Sequence, residues 1–417
     1  MAIKTINWND GSGDKIYLDP DAGNGNGTIA VSSDRNKSTT PRSQEVNISS
    51  GQGSGGVGLI IRLTINQKER PNYFWTEAIA AGTFTLTIPS SVTTAMLESV
   101  SYSTDNGVTW VTTNNVNNSV VTITTPTIQA GGKVLWKGIG TTFASGYSSG
   151  EYSLFSGSAD YNIGGDIGTL FYGDDYTGEF ERLSTTNALQ HFFSGQSHLI
   201  NAKDLILSPL RAVGRCYQYC FYNCTNLLTA PTILVESIGT YCCYGMFEGC
   251  SSLVVAPNLN ITTLNNNCCQ RMFMNCTSLT TPPPELKGES LATSCYYSMF
   301  NGCAKMSSVP TISATSAKAN STQWMREMFS GCKLITTAPV LPITTLASNC
   351  YYRMFRNCSA LSYIKMMATD ISASNCLYQW VSGVAATGTF VKNSAAQWTA
   401  TGVSGIPSGW TVQTAAS

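Results

Sequence analysis

The chain has 417 residues, with 24 basic and 24 acidic side chains that cancel, and only 12% of its residues are charged. With no basic stripe to neutralise phosphates, an electrostatic nucleic-acid surface is excluded. The 37 glycines, the many Thr, Ser and Asn, and the scarcity of helix-forming Glu, Lys and Arg predict a mostly β protein of two or three domains, of extracellular or virion type.

In chain order, residues 1–77 read as a β-sandwich module with strands Ile3–Trp8, Lys15–Leu18, Thr28–Ser33, Glu45–Ile48 and Val57–Gln67. In the last of these Val57, Leu59, Ile61, Leu63 and Ile65 alternate with Gly58, Ile60, Arg62 and Thr64, a period of two with one buried face. Gly51 to Gly56 fits a dinucleotide fingerprint by letter, but it leads into a strand, so no helix N-terminus waits for a pyrophosphate. Asp19 to Asn24 resembles the start of a calcium loop, yet Ala30 stands where a bidentate Glu is required.

Residues 78–146 read as a second β-sandwich module. Strands Ser99–Thr104 and Val108–Thr113 flank Asp105, Asn106 and Gly107, and an Asn-Gly pair favours a tight hairpin turn. Val120–Thr124 and Lys133–Lys137 supply further strands. Trp110 and Trp136 are candidates for stacking on sugar rings, although tryptophans so placed more often belong to a core.

Residues 147–200 form a prelude and N-terminal cap. Tyr172 to Tyr176 is an acidic turn containing Asp174 and Asp175, followed by Glu179 and Glu181. A carboxylate pair can serve a glycosidase, but these lie side by side in one loop without a partner site, so no enzymatic activity is expected. Ala188–Leu199 reads as a degenerate first repeat, with Phe193 for the repeat phenylalanine, Gly195 as its cap and Gln196 where a cysteine belongs.

Residues 201–383 carry the dominant signal, a repeat of about seven units. Its frame is Cys242, Met246, Phe247, Gly249, Cys250, and it returns around Phe221, Phe273, Phe300, Phe329, Phe355 and Val381 at intervals of 26 to 29 residues. A period in the twenties marks a solenoid, whose units bury their apolar sides against one another. Cys216, Cys220 and Cys224, spaced i, i+4, i+8, share one face of a predicted short helix. Gly or Asn two residues after the Phe supplies a left-handed cap, then an apolar residue and a proline define a short strand ended by Pro231, Pro257, Pro283, Pro310 or Pro339. Stacked, these strands would make one narrow parallel sheet. Residues 384–417 form a C-terminal cap, with Gly388–Lys392 continuing the sheet and Trp398, Ile406 and Trp410 covering the last unit.

All 15 cysteines lie between Cys216 and Cys376, at the spacing of the repeat itself. They are expected to be mostly free, buried thiols filling the core. Zinc is the alternative for Cys216, Cys220 and Cys224, but the finger spacing is missing and His191 and His198 lie outside the cysteine ladder. No catalytic, cofactor-binding or metal-binding residue is therefore predicted, no cofactor is implied, and no ligand-binding residue is assigned.

The repeat, as in Cys350-Tyr351-Tyr352-Arg353-Met354-Phe355 with Ala338-Pro339 before it, resembles the BspA-type leucine-rich repeats of Bacteroidales surface proteins and of phages that infect them. The match covers about half the chain. The order Trp8-Asn9-Asp10-Gly11, Val31 to Asp34, Arg42-Ser43 and Val46 is similar to BACON-like modules of Bacteroidales glycan-degrading proteins and crAss-like phage proteins. These resemblances imply a leucine-rich-repeat solenoid and a role in extracellular display and adhesion. The start of the chain has no apolar signal segment and no stretch has the length of a membrane span, which suggests exit by host lysis. The expectation is thus a structural phage virion surface protein, a head fibre, capsid decoration or tail fibre. It would adhere to host-surface or mucus glycans or to other virion proteins, as a homodimer or homotrimer, without contacting nucleic acid or membrane. The alternative is a bacterial cell-surface adhesin of the same repeat type, and a third reading is a glycan-active enzyme.

Overall fold

The computed structural model describes residues 73–415, apart from 147, 149, 177–181 and 184, together with the backbone of five strands before residue 73. The chain divides into two compact units, Met1–Asn72 and Tyr73–Ser417. In the first, β1 (Lys4–Asn7), β2 (Lys15–Pro20) and β3 (Ile29–Ser33) form an antiparallel sheet, and β4 (Arg42–Ser49) pairs with β5 (Ile60–Gln67) as a separate hairpin. Gly51 to Gly56, and Asp21 to Asn24 of the calcium-like string, lie outside the described residues.

The second unit opens with β6 (Phe74–Ala78), β7 (Phe84–Ile88), β8 (Leu97–Ser103), β9 (Val111–Asn114), β10 (Val121–Thr124), β11 (Lys133–Gly140), β12 (Leu154–Gly157) and β13 (Tyr161–Asp166). After a one-turn helix α1 (Thr169–Tyr172) come β14 (Arg182–Leu183), β15 (Leu199–Leu207), β16 (Arg211–Ala212), β17 (Thr232–Ile233) and β18 (Ser237–Ile238). One sheet of seven strands runs β17-β15-β13-β6-β11-β8-β9. It is antiparallel from β13 through β9 but parallel where β13 meets β15 and β15 meets β17. The first solenoid strand is thus hydrogen-bonded directly to the module before it. A second sheet, β10-β7-β12, adds Leu86, Ile88, Ile123 and Phe155 to the same core. There Phe155 packs edge-on against Phe74 at 5.7 Å and Trp136 at 5.0 Å.

The predicted hairpin is present, and Asn106 and Gly107 take φ of 59° and 87° as a primed turn demands. However, the second strand begins at Val111, not Val108. Asp105 explains the shift: its carboxylate accepts from Ser103 Oγ at 2.7 Å and from the Thr109 N–H at 2.9 Å, which closes a wider loop.

From Asn187 onward the chain is a β-solenoid of about eight turns, and the molecule is mostly β with very few helices. The predicted short helices are not there. The segments Arg215–Cys224, Tyr241–Cys250 and their counterparts are runs of tight turns, in which every fourth residue is left-handed. Arg215, Tyr219 and Asn223 have φ of 61°, 56° and 55°, and the pattern recurs at Asn267, Arg271, Asn275 and at Asn349, Arg353, Asn357. A left-handed residue every fourth position destroys the i→i−4 ladder of a helix. In its place alternate N–H groups bond in two directions. Gln218, Cys220 and Tyr222 close turns to Arg215, Tyr217 and Tyr219, while Arg215, Tyr217, Tyr219, Phe221 and Asn223 donate to carbonyls of the next coil. Left-handed backbone costs a non-glycine residue about 1–2 kcal/mol, and the inter-coil bonds made by those same residues offset it.

The single narrow sheet also gives way to short parallel ladders. Asn201, Thr229, Val255 and Thr281 form one row of bridges, and two-residue strands such as β17 and Thr311–Ile312 form others. Pro231 and Pro310 sit just before those strands and do not end them, because a residue without an N–H must fall between ladder bonds.

Two columns of side chains run through the interior. Phe193, Phe221, Phe247, Phe273, Phe300, Phe329 and Phe355 stack one on the next, with centroid spacings rising from 5.1 to 5.7 Å and planes within 16°. Beside them Cys224, Cys250, Cys276, Cys303, Cys332 and Cys358 each donate their thiol to a phenylalanine carbonyl of the preceding coil, at 3.0–3.2 Å. Phe193 also touches Phe74 at 5.9 Å and Phe155 at 5.8 Å, so the degenerate first unit is a true coil joined to the upstream core. At the far end Thr389–Lys392 extends the ladder of Tyr363–Met366, and Ile406 and Trp410 are buried over the last coil.

Candidate binding ridge

The turn run that builds the columns inward also sets what faces outward. With a strict period of four, at least one of the residues two and three before each phenylalanine, or before Val381 in the last coil, stays on the outer side. Each of the eight coils places a ring or guanidinium there: His191, Tyr219, Tyr244, Arg271, Tyr297, Arg326, Tyr352 with Arg353, and Tyr378. Tyr152 stacks on His191 at 4.2 Å, His191 meets Tyr219 at 5.0 Å, and Tyr219 meets Tyr244 edge-on at 5.2 Å. Arg271 reaches Glu248 at 3.0 Å and the Tyr244 hydroxyl at 3.4 Å. Burial raises the Glu248 carboxyl above its ordinary value, an effect that Arg271 only partly opposes. Further along, Arg326 lies over Tyr352 at 4.3 Å and Tyr352 stacks on Tyr378 at 4.9 Å. Such cation–π contacts are worth about 0.5–1 kcal/mol each and hold flexible side chains in place.

The residues singled out from sequence are placed differently. Trp136 is fully buried and donates its indole N–H to Thr76 at 3.1 Å, so it is core. Trp110 is half-buried, with the Lys137 ammonium 4.1 Å above its ring and Tyr73 at 4.9 Å, so one ring face is occupied. Asp174 binds Lys137 at 2.6 Å and accepts from the Tyr73 hydroxyl at 2.8 Å. Burial raises its carboxyl, but those bonds outweigh burial and leave it below the ordinary carboxylate value. It acts as a structural latch between β11 and the acidic turn. Glu179 and Glu181, the other carboxylates singled out here, lie outside the described residues.

All 15 cysteines are buried free thiols. Burial pushes Cys220, Cys250, Cys276 and Cys332 well above the ordinary thiol range, so they stay protonated and can donate. Among the described residues no three metal-ligating side chains converge. Likewise, no described helix is long and apolar enough to cross a membrane.

A second surface feature lies on the ladder side. There Leu228, Thr229, Pro231, Val254, Val255 and Pro257 line a shallow groove of about 710 Å³. Sequence reasoning missed both the groove and the ridge, because outward positions carry no fixed residue type. The one available signal was the recurrence of Tyr and Arg two or three residues before each phenylalanine. No protein-family model, curated protein or solved structure matches the chain.

Proposed function

We propose that this chain is a non-catalytic adhesion protein of a phage virion surface, a head fibre, capsid decoration or tail fibre. In this reading the solenoid is the binding arm, of BspA-like leucine-rich-repeat type, and the N-terminal β-sandwich modules, BACON-like in the first case, anchor or space it. The row of tyrosine, histidine and arginine side chains contributed by all eight coils carries the reading. Aromatic faces with nearby polar groups suit the apolar faces and hydroxyls of sugars, and a stiff ladder of weak sites gains affinity by multivalency. The sequence resemblance adds the setting, extracellular display on Bacteroidales or their phages. Host-surface or mucus glycans and other virion proteins are the partners, and a dimer or trimer with cyclic symmetry is the expected assembly.

Immunogold microscopy of a lysate of the source culture, with antibody to residues 187–383, is expected to decorate particles. Label confined to cell envelopes would make the chain a bacterial adhesin. Hydrolysis of mucin glycans that is lost in Asp175→Asn would overturn the non-catalytic reading.

A further inference from the structure

Resting on the adhesion reading of the ridge, we infer that its C-terminal half is built for acidic glycans, oligosaccharides whose rings carry sulfate or carboxylate. Although the chain is neutral overall, the turn face is not. It holds five arginines (Arg215, Arg271, Arg326, Arg353, Arg356) against two glutamates (Glu248, Glu327), and neither lysine nor aspartate. Both glutamates are engaged, Glu248 by Arg271 at 3.0 Å and Glu327 by Arg326 at 3.7 Å. Among the described residues no carboxylate pairs with Arg353 or Arg356.

Arg353 is held by its neighbours. Its guanidinium lies 5.0 Å from the Tyr352 ring and 5.7 Å from the Tyr378 ring, and its Nε donates to Gln379 Oε1 at 3.0 Å. The terminal N–H groups then remain for a ligand. Arg326, 5.2 Å from Tyr297, extends the same layer by one coil, and Arg356 stands exposed three residues beyond Arg353. Guanidinium forks fixed on aromatic faces match the paired oxygens of sulfate or carboxylate, and Tyr378, 39% exposed, offers a ring face to the sugar itself. Lysine would supply charge without the planar fork. The choice of arginine at every basic ridge position therefore points to shaped anion recognition and away from general attraction.

The test measures binding of the full chain to neutral, sulfated and sialylated forms of one poly-N-acetyllactosamine oligosaccharide at low and moderate salt. Tighter binding of an acidic form, by about tenfold over the neutral one, is expected. Whichever of the sulfated and sialylated forms gains more identifies the anion. Arg353→Asn, which keeps a residue tolerant of the left-handed backbone, and Arg356→Gln should each cut that preference several-fold. Lys305→Gln, an exposed charge off the ridge, should leave it intact. Where Arg353→Asn lowers the melting temperature, the exposed Arg356→Gln decides. Equal binding of all three forms would overturn the acidic preference and leave adhesion standing, whereas binding of none would overturn both. An equal loss in Lys305→Gln, or equally tight binding of a single-stranded oligonucleotide, would show diffuse charge attraction and sink the inference.

Discussion

His191 holds a left-handed backbone, φ 56°, with its ring between those of Tyr152 and Tyr219, and this enclosure governs its titration. Burial lowers its pKa from 6.5 to about 4. The unfolded chain therefore takes up a proton near pH 6.5 that the folded chain refuses until about pH 4. Its contribution is full above that window and is lost as pH falls through it. Melting temperatures measured between pH 7 and pH 4.5 are expected to decline, and His191→Asn should flatten the decline; an unchanged slope would show that other groups cause it. The cysteines give a second test at this scale. Native protein should react slowly with thiol reagents, and unfolded, non-reduced protein should yield 15 thiols. A count near one would mean that the column is disulfide-bonded. Sequence spacing revealed that these cysteines were core, but not that the last of each unit donates to a carbonyl one coil back.

At the scale of the element, the repeat frame was legible and its conformation was not. Spacings of i, i+4, i+8 suit a helix, where three such positions drift by only about 80°, and they suit equally a ribbon of four-residue turns. What separates the two is the left-handed residue, and Arg, Tyr, Gln and Asn occupy those sites as well as Gly. Far-UV circular dichroism should accordingly lack a helical minimum, and a strong one would contradict the turn ribbon. The phenylalanine stack runs through seven successive coils. Phe273→Ala should cost about 3–5 kcal/mol in urea unfolding, whereas Phe273→Leu, which keeps most of the volume, should cost about 1.5 kcal/mol or less. Equal costs would mean that stacking, and not filled volume, dominates.

For the molecule as a whole, the join between the upstream strands and the solenoid matters most. β15 is bonded to β13, and Phe193 packs on Phe74 and Phe155, so the solenoid has no free N-terminal end of its own. A fragment starting at Asn201 cuts into β15 and exposes the Phe221 face. It should aggregate, whereas 73–417 should be monodisperse with the spectrum of the full chain. Comparable folding of both fragments would show that the upstream module is not the cap.

By itself, the sequence determined the repeat, its period, the buried cysteine column, the degenerate first unit and the covering residues at the end. All of these follow from periodic burial, which leaves a trace in residue type. Only the tertiary structure decided that the turns are not helices, that the strands form several short ladders, and that one sheet runs from β9 into the solenoid. It also decided that a histidine and the tyrosines and arginines of eight coils share a face. Hydrogen bonds between backbones are blind to side-chain identity, and solvent accepts almost any residue, so the strand partners could not be read before the coils were stacked, and the ridge left only the recurrence of Tyr and Arg.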